Sequence, residues 1–210
     1  MTPVPALVAA LLAATPASPP PITVTGAGAL GAGGAAWEVE VGYPSISMTY
    51  AQGVDDRNDL GAVVGASWTT GEIVLAFLWR SELAGDASSR AGFRLTAGPW
   101  FNFGGTWIHA GNEPNLGLAL APGAAWTADA GPGLASVMLD VGLEWAWQRG
   151  MGVAFLPRLA AAYEAPVSRD LTVGARAGLW ARWSTGSAAI PGLDATVQAE
   201  LVALLTWRVF

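Results

Sequence analysis

Beyond residue 36, large apolar side chains alternate along the chain with small, polar or charged ones, in short runs with a period of two. The clearest runs lie within residues 134–164, where Arg149 and Gly150 join them. Two alternating runs separated by a two-residue connection predict a β-hairpin. The bulky face of the first run carries Val137, Leu139, Val141, Leu143, Trp145 and Trp147, and the other face carries Met138, Asp140, Gly142, Glu144, Ala146 and Gln148.

The same alternation returns through the rest of the chain, and the number of strands depends on Pro44. Proline cannot donate to a β-ladder, so we interpret Pro44 as a turn. Ten strands then result, and an even number returns both chain ends to one side of a single-chain barrel. One bulged strand over residues 37–52 would leave nine, which would require another strand, from Ile22 for instance, or a merger elsewhere. We predict an all-β, closed, antiparallel up-and-down transmembrane β-barrel of ten strands, with eight as the alternative.

Composition indicates which face of these strands meets water. Hydrophobic residues make up 52% of the chain and charged residues only 12%, against about 25% charged residues in soluble domains. If the bulky faces pointed inward, the outside would be mostly Gly, Ala and Ser, which is a poor surface for water. If they point outward, they meet lipid, and the small and charged side chains fit a narrow lumen. Beyond the first two dozen residues, no apolar run is long enough for a membrane-crossing helix.

The first 35 residues do not share the alternation. Residues 4–17 form an apolar run that resembles the core of a secretory signal peptide, with cleavage expected after Ala17, although no Lys or Arg precedes the run. We assign a signal peptide to residues 1–17. Residues 18–35 are rich in Pro, Gly and Ala, so we expect a flexible leader with too little side chain to pack. The barrel is assigned to residues 36–210.

Charged residues of both signs fall on the inward face of the predicted strands in nearly equal number. An unpaired charge in a narrow lumen would be costly, so we expect an ion-pair network that stabilises and plugs the barrel. The alternative is a narrow polar pathway, because rings of charge can set pore selectivity. The predicted network comprises the acids Glu38, Glu40, Glu72, Asp140, Glu144, Glu164, Asp194 and Glu200 and the arginines Arg80, Arg90, Arg94, Arg158, Arg176, Arg182 and Arg208.

Aromatic residues cluster near the predicted strand ends. Such rings gather where a membrane meets water, because one edge of the side chain is apolar and the other is polar. With both termini on the periplasmic side, they form two belts. The outer belt holds Tyr43, Trp68, Phe101, Trp145, Trp147 and Trp183, and the inner belt holds Trp37, Tyr50, Trp79, Trp126, Tyr163 and Trp207.

The sequence offers little for catalysis, metal binding or nucleic acid. The chain has no Cys, and its one histidine, His109, has no Ser or acid beside it with which to form a catalytic triad. Asp140 and Glu144 lie four residues apart on a strand, about 13 Å, which is too far for a catalytic carboxylate pair. Ten Arg, no Lys and a net charge of −6 leave no basic patch. We predict no enzyme activity, no cofactor, no metal and no nucleic-acid partner.

Residues 37–210 resemble the small outer-membrane β-barrel proteins of Gram-negative bacteria. The resemblance rests on the alternating hairpins, on the polar turn within residues 50–60 (Tyr-Ala-Gln-Gly-Val-Asp-Asp-Arg-Asn-Asp-Leu) and on the terminal Phe210. In that family a final aromatic residue closes the signal that the barrel-assembly machinery reads, and Arg208 stands where a second aromatic is usual. The resemblance implies an outer-membrane location, with membrane lipid and the assembly machinery as partners. We also expect a monomer.

From these observations the sequence predicts an outer-membrane barrel in a structural or interaction role, with a lumen plugged by Arg, Asp and Glu pairs. A porin-like narrow pore for small solutes or ions is the first alternative. A lipocalin-like barrel that holds an apolar ligand is the second.

Overall fold

The computed structural model describes residues 22–86, 88–104, 114–148, 150–189 and 194–209. Within these ranges the chain forms ten strands, and no helix is long and apolar enough to cross a membrane. The strands are β1 (Ala35–Tyr43), β2 (Ser45–Gly53), β3 (Asn58–Ser67), β4 (Glu72–Gly85), β5 (Ser89–Phe103), β6 (Pro114–Ala130), β7 (Gly133–Ala146), β8 (Gly152–Pro166), β9 (Leu171–Gly186) and β10 (Thr196–Val209).

Every strand pairs antiparallel with the next one in the chain, and β10 pairs with β1 to close the barrel. The closing register runs from Ala35 opposite Val209 to Tyr43 opposite Leu201. Closure leaves no strand edge of the barrel unpaired. The prediction of an all-β, up-and-down barrel of ten antiparallel strands is confirmed. Below, the terminal end is the end where β1 begins and β10 ends, and the opposite end is the one where β1 meets β2.

Pro44 forms the turn on which the strand count depended. β1 ends at Tyr43 and β2 begins at Ser45, with Val41 opposite Ile46. The Pro44 carbonyl accepts a hydrogen bond from the Trp68 backbone N–H at 3.1 Å, which joins this turn to the end of β3. Pro44 lies between the two strands, where its nitrogen does not have to donate a hydrogen bond to a β-ladder. The chain reverses at this residue, so residues 35–53 form two strands and the barrel has ten.

The bulky face of each strand points away from the lumen. Leu139 is 53% exposed on the outer surface, whereas its neighbours Met138 and Asp140 are 1% and 7% exposed. The same contrast holds on β10, where Leu201 is 64% exposed and Glu200 is 7% exposed. Adjacent residues of a strand point to opposite faces, so the apolar pattern forms the outer wall and the polar pattern the inner wall.

The hairpin of residues 134–164 pairs as predicted, with Leu134 opposite Glu164, but its turn is longer than two residues. The last pair is Ala146 with Gly152, so residues 147–151 form the connection. The Trp147 N–H donates to the Leu116 carbonyl on β6 at 3.3 Å instead of extending the pairing with β8. The prediction of a two-residue turn is therefore wrong, because Trp147, at the end of the alternating run, bonds to β6 and not to β8.

Some predicted features lie outside the described residues. They are the signal peptide at residues 1–17, His109 with most of its loop, and the terminal Phe210. The leader at residues 18–35 is described from residue 22, and it differs from the flexible segment we expected. Ile22, Val24 and Ala27 are 4–6% exposed because this part of the chain lies inside the barrel.

Candidate functional site

The interior of the barrel holds the predicted charged residues. Nine of the fifteen are buried: Glu38, Glu72, Arg80, Asp140, Glu144, Glu164, Arg176, Arg182 and Glu200. Six are partly buried: Glu40, Arg90, Arg94, Arg158, Asp194 and Arg208. The structure divides them into separate groups at different heights along the barrel.

The central cluster consists of Glu40, Arg94, Asp140, Arg158, Arg176 and Glu200. Arg158 donates to Glu200 at 2.8 and 2.9 Å and to Asp140 at 3.3 Å. Arg176 donates to Glu200 at 3.1 Å and forms a two-pronged pair with Glu40. Arg94 lies 3.6 Å from Asp140. Each of Asp140 and Glu200 therefore has two arginine partners, contributed by different strands.

This sharing limits the expected cost of removing Arg158. In the Arg158→Ala variant, Asp140 keeps Arg94 and Glu200 keeps Arg176, so neither carboxylate is left wholly unpaired. We expect the free energy of unfolding to fall by about 1–3 kcal/mol, the range for losing charged hydrogen bonds. The temperature at which the barrel loses its heat-modifiable gel shift should fall accordingly. The control is Arg169→Ala, which changes an exposed turn residue. If both variants lowered this temperature equally, Arg158 would not stabilise the barrel through the central cluster.

The Arg182 cluster lies nearer the opposite end. The Arg182 side chain is fully buried and lies 2.9 Å from Glu144, 3.7 Å from Glu72 and 3.9 Å from Asp194. Arg182 also donates to the Ala188 carbonyl at 3.0 Å. Here one guanidinium lies near three carboxylates. In the central cluster, by contrast, Asp140 and Glu200 each have two arginines.

Asp140 and Glu144 share a strand face but bind different arginines. Asp140 belongs to the central cluster and Glu144 to the Arg182 cluster. Every acid in both clusters has a guanidinium within 4.0 Å. Among the described residues, no group of three or more His, Cys, Asp or Glu is arranged to hold a metal ion. The central cluster balances three carboxylates with three arginines, whereas the Arg182 cluster has three carboxylates for one arginine.

At the terminal end, the lumen is filled by the chain itself. Residues 22–30, called the luminal segment below, lie within the ring of strands. Arg80 donates to the Thr23 carbonyl at 3.2 Å, to the Gly26 carbonyl at 3.3 Å and also to the Gly28 carbonyl. Arg80 lies 3.6 Å from Asp59, which accepts from the Leu30 N–H at 3.0 Å.

Two predicted network acids bind the luminal segment instead of an arginine. Thr23 donates its hydroxyl to Glu164 at 2.6 Å, and Thr25 donates to Glu38 at 2.9 Å. Glu38 accepts a second bond from Thr206 at 3.0 Å. Glu38 and Glu164 therefore lie in the lumen with the other predicted acids, but their hydrogen-bond donors are hydroxyl groups and not arginines.

A cavity of about 360 Å³ runs beside the central cluster. It extends from Pro44 and Ser67 at the opposite end to Val24 of the luminal segment. One side is lined by the charged residues, and the other side by apolar residues such as Val74 and Leu78 on β4. The central cluster therefore borders the cavity on one side, and the luminal segment forms the floor of the remaining space.

No family model matches this chain, and no curated protein matches it either.

The aromatic residues lie at the two ends of the barrel, as their sequence positions predicted. At the terminal end, Trp37 and Tyr50 stand opposite each other with ring centroids 4.9 Å apart. At the opposite end, Trp183 stacks on Phe155 with centroids 6.0 Å apart. Trp126, Tyr163 and Trp183 are each 42–48% exposed on the outer surface. The rings at each end thus face outward.

The structure adds interior residues that the sequence analysis did not identify. Asp59 is fully buried although it follows a polar turn. Trp100 is 2% exposed and lies on the inward face between Pro99 and Phe101, and Trp180 lines the cavity. A parity count along β5 and β9 would have indicated both tryptophans. No periodic signal would have indicated Thr23 or Thr25.

Two predicted network residues lie at the margin of the charged interior. The closest approach of Arg90 to Glu82 is 4.0 Å, and both side chains are partly exposed. Arg208 lies near the terminal end, where it lines a small recess with Arg90 and Gly34. Both border the luminal segment more closely than the central cluster.

Proposed function

We propose that this protein is a transmembrane barrel of a bacterial outer membrane, with a structural or interaction role and a closed lumen. The observation that carries the proposal is the inverted wall: bulky apolar residues outside, and paired charges inside. Phe77, Leu179 and Leu201 are 49%, 55% and 64% exposed on the outer surface. A water-soluble protein rarely exposes so continuous an apolar surface, whereas a barrel in lipid requires one.

The two rings of aromatic residues support the same proposal. Outward-facing Trp and Tyr at both ends suit the headgroup levels of a bilayer, with the aliphatic band between them in the hydrocarbon. Antiparallel closure satisfies the backbone N–H and C=O groups of the strands, which lipid demands. Membrane lipid is therefore the proposed partner of the outer wall. The barrel-assembly machinery is the proposed partner during biogenesis.

The interior favours a closed barrel over an open pore in this state. The central cluster fills one side, and the luminal segment fills the terminal end. The cavity beside the cluster supports a narrow pore as the second candidate function. A lipocalin-like role fits less well, because such a barrel would need a polar exterior and an apolar pocket. We propose no enzyme activity, no cofactor and a monomeric state.

Membrane fractionation tests the proposal. In cells that express the full-length chain, we expect the protein in the outer-membrane fraction, where it resists extraction by carbonate and is released by detergent. A folded barrel should migrate differently before and after boiling. Recovery of folded protein in the soluble fraction without detergent would overturn the membrane assignment and favour the lipocalin-like alternative.

A further inference from the structure

The luminal segment is bound through its backbone, through two hydroxyl groups and through Ile22 and Val24, which belong to one buried apolar cluster with Leu78. Three of its carbonyls accept from Arg80. The Ala27 N–H donates to the Thr127 hydroxyl at 2.8 Å, and the Ala29 N–H donates to Glu82 at 3.3 Å. The inner wall therefore supplies both a donor for peptide carbonyls and acceptors for peptide N–H groups, as a peptide-binding site does.

The wall also selects the side chains of its occupant. Glu38 and Glu164 accept from hydroxyls two residues apart, at Thr25 and Thr23. A Cβ on Gly26 would come within 2.6 Å of the Thr127 hydroxyl and 2.8 Å of the Ser136 hydroxyl. The site thus fits an uncharged segment with alternate hydroxyls followed by a residue without a side chain.

The segment buries few large apolar side chains. Beyond Ile22 and Val24, its buried residues are Thr, Gly and Ala, so it contributes little apolar area. It joins β1 through residues 31–34, where Gly31 and Gly33 have φ of 79° and 77° and a Cβ on either would meet nothing within 4 Å. Glycine adopts these backbone angles without steric cost. The Gly33 N–H donates to the Gly53 carbonyl of β2 at 3.0 Å, so any movement of the segment starts on the Gly31 side of this bond.

We propose that the inner wall around Arg80 is a binding site for an extended, uncharged, hydroxyl-bearing peptide, which the chain's own residues 22–30 occupy and thereby close the lumen. The occupant is displaceable. When it leaves, the cavity loses its floor at Val24 and extends toward the terminal end. The uncovered wall then presents Glu38, Glu164 and Asp59 against Arg80, a surplus of carboxylates that favours cations over anions.

The full-length Gly26→Val variant tests this directly. Valine at this position requires Thr127 and Ser136 to shift, because its Cβ alone would come within 2.6 Å and 2.8 Å of their hydroxyls, and Gly26 lies outside the ten strands. In planar lipid bilayers the parent chain should stay closed, and Gly26→Val should show steady conductance steps that prefer cations. The matched control is Ala32→Val, which adds the same kind of side chain at an exposed position of the connecting stretch and should behave as the parent does.

A synthetic peptide with the sequence of residues 22–34 tests the site itself. Added to the terminal end of Gly26→Val, it should close the conductance with a saturable dependence on concentration. The same peptide carrying Gly26→Val should need at least about tenfold more, a factor that corresponds to 1.4 kcal/mol. A scrambled peptide of identical composition should have no effect. Fluorescence binding in detergent micelles should give the same order of affinities.

Two results would overturn the proposal. One is a folded, heat-modifiable Gly26→Val barrel that neither conducts nor binds the peptide. The other is failure of both Gly26→Val and a variant lacking residues 22–30 to fold, which would make the segment part of the core. The conductance test rests on the proposed membrane function, but the micelle binding test does not. Peptide binding by a protein that fractionates as soluble would overturn only the membrane proposal.

Discussion

Replacing Arg182 with methionine should lower the free energy of unfolding by about 3–5 kcal/mol, the cost of removing one partner from a buried ion pair. Arg182 is fully buried and is the guanidinium within 4.0 Å of Glu72, Glu144 and Asp194. Methionine has a similar length but cannot neutralise these carboxylates. The loss should exceed that of Arg158→Ala, because the acids beside Arg158 each keep a second arginine.

Urea unfolding of the barrel in lipid vesicles measures this effect, since a lower midpoint at constant slope reports a loss of stability. Arg169→Met is the matched control, because Arg169 lies in the exposed turn between β8 and β9. Adding Glu72→Gln and Glu144→Gln to Arg182→Met should recover part of the loss, since the stranded charges are then removed. An Arg182→Met midpoint equal to that of the control would show that Arg182 does not neutralise the cluster.

The barrel itself could be predicted from the sequence because a strand has one dominant rule. Alternate residues point to opposite faces, so a run such as Val137 to Trp147 already divides into an outer and an inner set. Composition then decided which set faces inward, and Pro44 decided the count. The turn at residues 147–151 could not be predicted in the same way. Its length depends on the Trp147 bond to Leu116, which belongs to a strand distant in sequence.

The pairing inside the lumen was less accessible to sequence reasoning. Parity places Arg158 and Arg182 inside, but it gives no height along the barrel and no position around its circumference. Those coordinates come from the stagger between strands, which brings Glu40 of β1 to Arg176 of β9 across 136 residues of sequence. The near balance of charges indicated a network, and the register determines which carboxylates have two arginine partners and which share a single arginine.

The luminal segment was missed because the pattern rules do not apply to it. A peptide inside a barrel needs no periodic side chains, and its Gly and Ala residues have the composition of a flexible linker. In this lumen, small side chains are what allow the segment to enter, since Gly26 lies against Thr127 and Ser136. The signal that sequence reasoning could have used is Thr23 and Thr25, two hydroxyls within a tract otherwise poor in polar groups.

The environment of the outer wall determines the size of a second effect, the change in the free energy of unfolding when arginine replaces Leu139. Leu139 lies midway along β7 and is 53% exposed on the outer surface. If this surface faces hydrocarbon, Leu139→Arg should lower the free energy of unfolding by about 2–4 kcal/mol, the cost of arginine at the middle of a bilayer. If it faces water, the same change should fall within about 0.5 kcal/mol, as exposed substitutions usually do.

The matched control for Leu139→Arg is Val167→Arg, which introduces the same side chain at a 62% exposed residue in the turn after β8. In lipid vesicles we expect a large loss of stability for Leu139→Arg and a small one for Val167→Arg. The turn at Val167 lies beyond the belt of aromatic residues that includes Tyr163, and therefore outside the hydrocarbon. Equal and small changes for both would mean that the outer wall meets water at mid-barrel height, and the membrane assignment would fail. Equal and large changes would place the turn in the hydrocarbon as well. The belt of Trp37, Tyr50 and Tyr163 at that end argues against this, because such belts lie at the membrane surface.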